Sequence, residues 1–208
     1  MQPSRTNQGP KRKSSGIETR VKALLFTDPS CPWDYSASPA FRTIEWRYRD
    51  QVDWQLNVIG LSGPGGPPSQ LTRTYLANSQ ITFRDRFGMP FSAEPKVRRC
   101  TSARSCQAIV AAGLIQPGSQ WRALRALQLL NFNSPLLLDD DAQLQAALSS
   151  VEGLEAERIV DALDSQEVQA EYRRQYEHAR TAANGPTELR GKAADSPGGV
   201  RFTAPSIV

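Results

Sequence analysis

Between residues 21 and 59 the chain passes once from strand to helix to strand, and nothing else in the sequence leaves so few folds open. Residues 21–26, Val-Lys-Ala-Leu-Leu-Phe, are a short and almost unbroken apolar run, which suits a strand buried on both faces. Thr27, Asp28, Pro29 and Ser30 then turn the chain. Ser38-Pro39 reads as an N-cap followed by proline at the first helical position. Phe41, Ile44 and Tyr48 recur at helical spacing up to Asp50, which predicts about three turns with one buried stripe. Val52, Trp54, Leu56 and Val58 alternate, so residues 52–59 are expected to form a second strand. Two strands joined through one helix by short connections lie parallel with a right-handed crossover.

Residues 61–68, Leu-Ser-Gly-Pro-Gly-Gly-Pro-Pro, cannot prolong a strand and mark a boundary. Beyond it the chain is helical in pieces. Residues 103–114 are alanine-rich and stop at Pro117-Gly118. Trp121, Leu124, Leu127 and Leu130 repeat every third position along the next helix. Residues 142–148 and 154–163 are shorter helices. Asp164-Ser165-Gln166-Glu167 resembles an acid-led capping box that opens a helix to about Ala183, ended by Asn184-Gly185-Pro186. A turn-rich stretch reaches Gly199, and residues 200–208 read as one strand interrupted by Pro205. The expected organisation is a leader over 1–20, a βαβ unit over 21–68, an inserted helical domain over 69–185 and a return to the first domain over 186–208.

Composition removes several functions. No apolar run approaches the roughly 20 residues of a membrane helix, so no membrane partner is expected. The chain has one histidine, His178, and three cysteines in 208 residues. That excludes a two-imidazole mechanism and a disulfide framework, and without a Cys-x-x-Cys pair no metal site is expected. The net charge of +4 resides in residues 1–20, which hold five basic side chains against one acidic, while residues 21–208 sum to zero. The basic start is read as a solvated, disordered leader, so nucleic acid is not the expected partner. Residues 21–26 are too short for a signal-peptide core, and a reducing cytoplasm is the expected location.

Cys31 stands where the first strand gives way to a helix. First-turn N–H groups and the helix dipole favour an anion there, so the thiol pKa is expected to fall. Phe26-Thr27-Asp28-Pro29-Ser30-Cys31-Pro32-Trp33 resembles the Asp-Pro-x-Cys-Pro-Trp signature of the DsbA-like, FrnE-type thioredoxin-fold oxidoreductases. Thr203-Ala204-Pro205-Ser206 before a strand matches that family too, and the resemblance spans residues 21–208. It implies an α/β, thioredoxin-like fold with a large all-helical insertion between the second strand and the cis-proline strand. It also implies that Pro205 is a cis-proline facing Cys31, where a substrate chain can pair with backbone beside the sulfur. Pro32, Trp33, Ala204 and Pro205 are then the substrate-binding residues, with Cys31 and Asp34 as the catalytic ones.

The chain departs from the family in two places. Asp34 replaces the second cysteine that resolves a mixed disulfide, where monothiol relatives such as kappa-class glutathione transferases carry serine. A carboxylate so close opposes a thiolate, although an acid in the first helical turn also stabilises the helix. The family also adds a strand and a closing helix beyond the cis-proline strand, whereas this chain stops at Ser206-Ile207-Val208, as if truncated. The expected function is a monothiol thiol–disulfide oxidoreductase, with Cys31 attacking a disulfide or a glutathione adduct. It binds no cofactor and uses glutathione at most as a co-substrate; its partner is a protein or small-molecule thiol or disulfide. The alternatives are a redox-inactive binding or scaffold protein and a glutathione-dependent isomerase or transferase of the kappa type. Cys100 and Cys106 are read as buried or incidental, His178 as solvent-exposed, and the Asp139–Asp141 run as helix capping. Gly63-Pro64-Gly65-Gly66 lacks the donors of a phosphate loop.

Overall fold

The computed structural model describes residues 20–62 and 70–208, with the side chains of 70–74 left aside. The expected leader, apart from Arg20, and most of the glycine- and proline-rich boundary lie outside the described residues. Strand β1 (Val21–Thr27) leads to helix α1 (Pro32–Tyr48), a 3-10 turn (Arg49–Gln51) and strand β2 (Val52–Val58). Helices α2 (Gln70–Phe87), α3 (Ala103–Ile115), α4 (Gln120–Asn133), α5 (Asp141–Ser149), α6 (Ala156–Asp161) and α7 (Gln166–His178) come next. A short α8 (Pro186–Leu189) and strands β3 (Ala193–Ser196), β4 (Gly199–Phe202) and β5 (Ser206–Ile207) complete the order.

β1 and β2 pair in parallel from Val21 opposite Val52 to Thr27 opposite Val58. On the other edge of β1, β5 runs antiparallel, with Phe26 opposite Ser206, and Leu24 and Val208 exchange backbone hydrogen bonds of 2.8 and 3.0 Å. Leu25, Phe26 and Thr27 are fully buried, but Val21 is 64% exposed; only the C-terminal half of β1 is a two-faced core strand. The expected single strand over 200–208 is two strands in two sheets. β4 closes a hairpin with β3, and the chain crosses Ala204 and Pro205 before β5 joins β1. The Ala204–Pro205 peptide is cis.

α1 begins seven residues before its expected start. Cys31 is its N-cap, Pro32 fills the first position, and Pro39 lies inside the helix. Proline there removes the N–H that would bond the Tyr35 carbonyl. The Ser38 hydroxyl donates to that carbonyl at 2.8 Å instead, so the residue that reads as a cap repairs a gap within the helix. The expected stripe is only half-buried at Phe41 and Ile44, with Tyr48 43% exposed; the buried residues of α1 are Asp34 and Tyr35.

The helical segment packs around Ile109, Leu127, Leu138, Leu144, Leu148, Ile159 and Leu163, and Val58 of β2 joins the same core. A second core, of Phe26, Cys31, Ile59, Ala179, Ala182, Phe202 and Ala204, fastens the end of α7 and the hairpin to β1. Asp140 caps α5 by accepting from Gln143 N–H at 3.0 Å. Ser165, not Asp164, caps α7, which ends at His178 rather than near Ala183. Asp164 instead meets the Arg104 guanidinium, which also grips Asp141. The fold is mixed α/β with an all-helical insertion between β2 and the β3–β4 hairpin, which precedes the strand that follows Pro205.

Candidate active site

The turn before Cys31 is organised by Asp28, which the sequence presents as a turn residue and as the first residue of the signature, with no role of its own. Its buried carboxylate accepts from Ser30 N–H at 2.9 Å and the Ser30 hydroxyl at 2.6 Å. It also accepts from Leu61 N–H at 2.7 Å, the Ser102 hydroxyl at 3.0 Å and, weakly, the Cys106 thiol at 3.5 Å. The Cys31 N–H donates to the Asp28 carbonyl at 3.0 Å. One carboxylate therefore fixes the helix start, the segment after β2 and the start of α3 together. Its place beside proline, three residues ahead of the cysteine, was the available sequence signal.

The Cys31 thiol donates to the Ala204 carbonyl at 3.1 Å, next to the cis bond to Pro205. Cys31, Ala204 and Pro205, far apart in sequence, are thus brought together. Trp33, 48% exposed, stands at the mouth of a cavity of about 460 Å³ that Ser36, Phe87, Lys192, Ala204 and Pro205 also line. The Trp33 ring meets Phe83 and Phe87 edge-on, and the Arg86 guanidinium lies 5.2 Å from its centre. The buried Ser36 hydroxyl has no hydrogen-bond partner among the described residues. Pro32 faces the other side, toward Ser30 and a separate cavity under α2.

The expected fall in the Cys31 pKa does not occur in this arrangement. Burial pushes the thiol up to about 12. The Asp34 N–H works against that rise, the charges of Asp34 and Asp28 add to it, and the Trp33 N–H offsets part of it. Helix-start donors are present, but removal from water and two nearby carboxylates outweigh them. The Ala204 carbonyl can accept only from the protonated sulfur.

Asp34 is the acid of the first turn of α1 and is closed off from water. It is 2% exposed, accepts from the Thr27 hydroxyl and from Gln128 Nε2 at 3.1 Å, and borders a cavity of about 240 Å³ between α1 and α4. Burial raises its pKa to about 7, against hydrogen bonds from Thr27, the Asp28 backbone and Gln128; the Asp28 charge adds to the rise. His178 corrects another expectation. It is half-buried, with Nδ1 2.9 Å from Asn57 Oδ1 and its ring edge-on to Phe26. Cys106 is fully buried, Cys100 partly, and all three cysteines are free. No described cluster of His, Cys, Asp or Glu could hold a metal ion, and no described helix is long and apolar enough to cross a membrane.

Comparison with known proteins agrees with this fold. A "putative protein disulfide isomerase" from Nitrosomonas europaea superposes with a TM-score of 0.68 at 15% identity, over 88% of either chain. The cytosolic disulfide reductase DsbM from Pseudomonas aeruginosa, solved with GSH, gives 0.64 at 16% identity over 90% of this chain and 85% of that one. A 2-hydroxychromene-2-carboxylate isomerase gives 0.57 at 16% identity, also over 90% and 85%. Identities this low carry the fold alone. No curated protein matches the chain by sequence. The family model of the DSBA-like thioredoxin domain matches residues 24–183, about three quarters of the chain, and the protein belongs to that family.

Proposed function

We propose that the protein is a monothiol thiol–disulfide oxidoreductase acting in the cytoplasm. The observation that carries this reading is the Cys31 thiol at the head of α1, 3.1 Å from the carbonyl that precedes the cis Pro205 bond. A substrate strand lying along Pro205 offers its own N–H to the Ala204 carbonyl. That exchange takes the acceptor from the thiol and leaves the sulfur facing the N–H groups of Trp33 and Asp34, which favour its anion. The thiolate attacks one sulfur of a disulfide or glutathione adduct, and the other sulfur leaves as a thiolate that takes up a proton. A second, external thiol attacks the mixed disulfide and returns Cys31 to its reduced form. Asp34 cannot play the part of a resolving thiol; its proton occupancy sets how much negative charge the Cys31 anion must tolerate. Trp33 and the 460 Å³ cavity bind the substrate beside the sulfur. Glutathione is proposed as the co-substrate, which the GSH-bound DsbM structure supports by analogy of fold.

The test is glutathione-dependent reduction of a glutathionylated peptide by the wild type and Cys31→Ser, with the adduct at position 31 located by peptide mass mapping. Loss of turnover and adduct in the variant is expected; unchanged turnover refutes the mechanism. One observation favours a second reading, a binding protein without redox chemistry: the thiol pKa of about 12 in the resting site. On that reading, peptide binding survives Cys31→Ala and no adduct forms in the wild type. An isomerase or transferase of the kappa type differs from both, because an isomerase regenerates glutathione without oxidising it and a transferase leaves it as a thioether.

A further inference from the structure

Cys31 and Cys106 are 6% and 0% exposed, and burial holds both as thiols. The third cysteine is the accessible one. Cys100 is half-buried and opens on a cavity of about 210 Å³ bounded by α2, residues 94–100 and the end of α4. The opposite wall includes Ser30 and Pro32, on either side of Cys31 in the chain. Three cations, Lys96, Arg98 and Arg99, line this space against one carboxylate, Glu94. Arg98 is held by Asp139 at 2.7 Å, while Arg99 is exposed.

A second observation points to a guest. Asn131 of α4 lines the cavity, is 6% exposed, and makes no side-chain hydrogen bond to any described residue. Its carboxamide stays open to the cavity rather than sealed in packing, so a ligand with its own amide or carboxylate can pair with it. The positive lining raises the local concentration of an anion.

We propose that this cavity is a second thiol site, where Cys100 reacts with a small anionic disulfide. The Cys100 thiol gives its proton to solvent, and its sulfur attacks one sulfur of the bound disulfide. A bond forms between those two sulfurs, the disulfide's own S–S bond breaks, and the departing sulfur carries off the electron pair and is protonated. The disulfide is the oxidant, and the protein keeps half of it as a mixed disulfide. Arg99 and the Asn131 carboxamide hold the acidic and amide groups of the guest. The adduct then occupies the space beside Ser30 and Pro32. None of these steps requires Cys31 to act.

The experiment exposes the full-length protein to glutathione disulfide, which is anionic, or to cystamine, which is cationic, and tracks each cysteine by peptide mass mapping. Glutathione disulfide is expected to modify Cys100 before Cys31 or Cys106, reversibly with dithiothreitol. The same adduct forms in Cys31→Ser, which separates this site from the proposed catalytic cycle. Arg99→Glu lowers the ratio of the glutathione disulfide rate to the cystamine rate at Cys100 by at least about threefold. Asn131→Ala lowers the glutathione disulfide rate alone. Circular dichroism checks that each variant is folded. Modification of Cys31 ahead of Cys100, an internal Cys31–Cys100 disulfide, or a rate ratio unmoved by Arg99→Glu overturns the proposal.

Discussion

The charges of Asp34 and Asp28 both weigh against an anionic Cys31, but burial is the larger opponent. A thiol whose pKa rises to about 12 stays protonated at neutral pH, and its thiolate fraction climbs about tenfold per pH unit below that value. Iodoacetamide labelling of Cys31 in the substrate-free protein should therefore rise steadily from pH 7 to pH 10 without a plateau. A plateau below pH 9 would show that the helix start governs the thiol after all. Asp34 supplies a second prediction. Its folded pKa of about 7 lies above the unfolded value near 3.9. The fold therefore favours its protonated form, a contribution complete below about pH 4 and lost as pH rises through 7. Asp34→Asn should raise the urea midpoint at pH 8, by up to roughly 4 kcal/mol of stability, and change it little at pH 4. It should also speed Cys31 labelling at pH 8 by about three- to tenfold, since one opposing charge is gone. Equal stability gains at both pH values would mean that Asp34 is ionised throughout. The pairing of Cys31 with Pro205 was legible, because each motif piece is local and their order is distinctive. The burial of Asp34 was not, because its enclosure depends on Gln128, 94 residues further on.

At the scale of elements, long periodicities matched the structure, and local signals with two meanings did not. The alternation from Val52 to Val58 gave β2, and the repeats around Leu124 and Leu127 gave α4. Ser38-Pro39 has the chemistry of a helix start, yet it lies inside α1, because Pro32 opens the helix earlier and Ser38 satisfies the carbonyl that Pro39 leaves. β3, Ala-Ala-Asp-Ser, is four residues long and has no apolar alternation; its pairing with β4 is what makes it a strand. The α1 arrangement predicts a coupled pair. Ser38→Ala strips the hydroxyl from the Tyr35 carbonyl and from Arg125, which donates to Ser38 Oγ at 2.8 Å. It should cost about 1 kcal/mol. Pro39→Ala restores a backbone donor to the same carbonyl, so Ser38→Ala should cost less in that background. A double-mutant cycle from urea denaturation measures the difference; strictly additive effects would mean that the two residues do not serve the same carbonyl.

Across the whole molecule, buried polar groups join the sheet to the helical insertion, and two of them, Arg180 and Asp28, each gather several partners. Arg180, 9% exposed, spreads its guanidinium over the carbonyls of Ile59, Tyr176 and Pro197, tying β2's exit and the hairpin to α7. Asp28 does the corresponding work on the other side, where Ser30, Leu61, Ser102 and Cys106 converge on one carboxylate. Apolar packing also crosses the boundary, since Val58 lies in the helical core. The two contributions can be separated through Cys106, which is fully buried at the junction. Asp28→Ala leaves the Leu61 and Ser30 N–H groups and the Ser102 hydroxyl without their acceptor, at about 1–3 kcal/mol for each that stays dry. If Asp28 closes the junction, Cys106 in this variant should be labelled at least about tenfold faster in native buffer, the factor for each 1.4 kcal/mol of lost protection. The far-UV circular dichroism should remain helical, because the Leu127 and Leu144 core does not depend on that carboxylate. Labelling of Cys106 at the wild-type rate would assign the junction to Val58 and its apolar neighbours instead, and reduce Asp28 to a device for shaping the turn before Cys31.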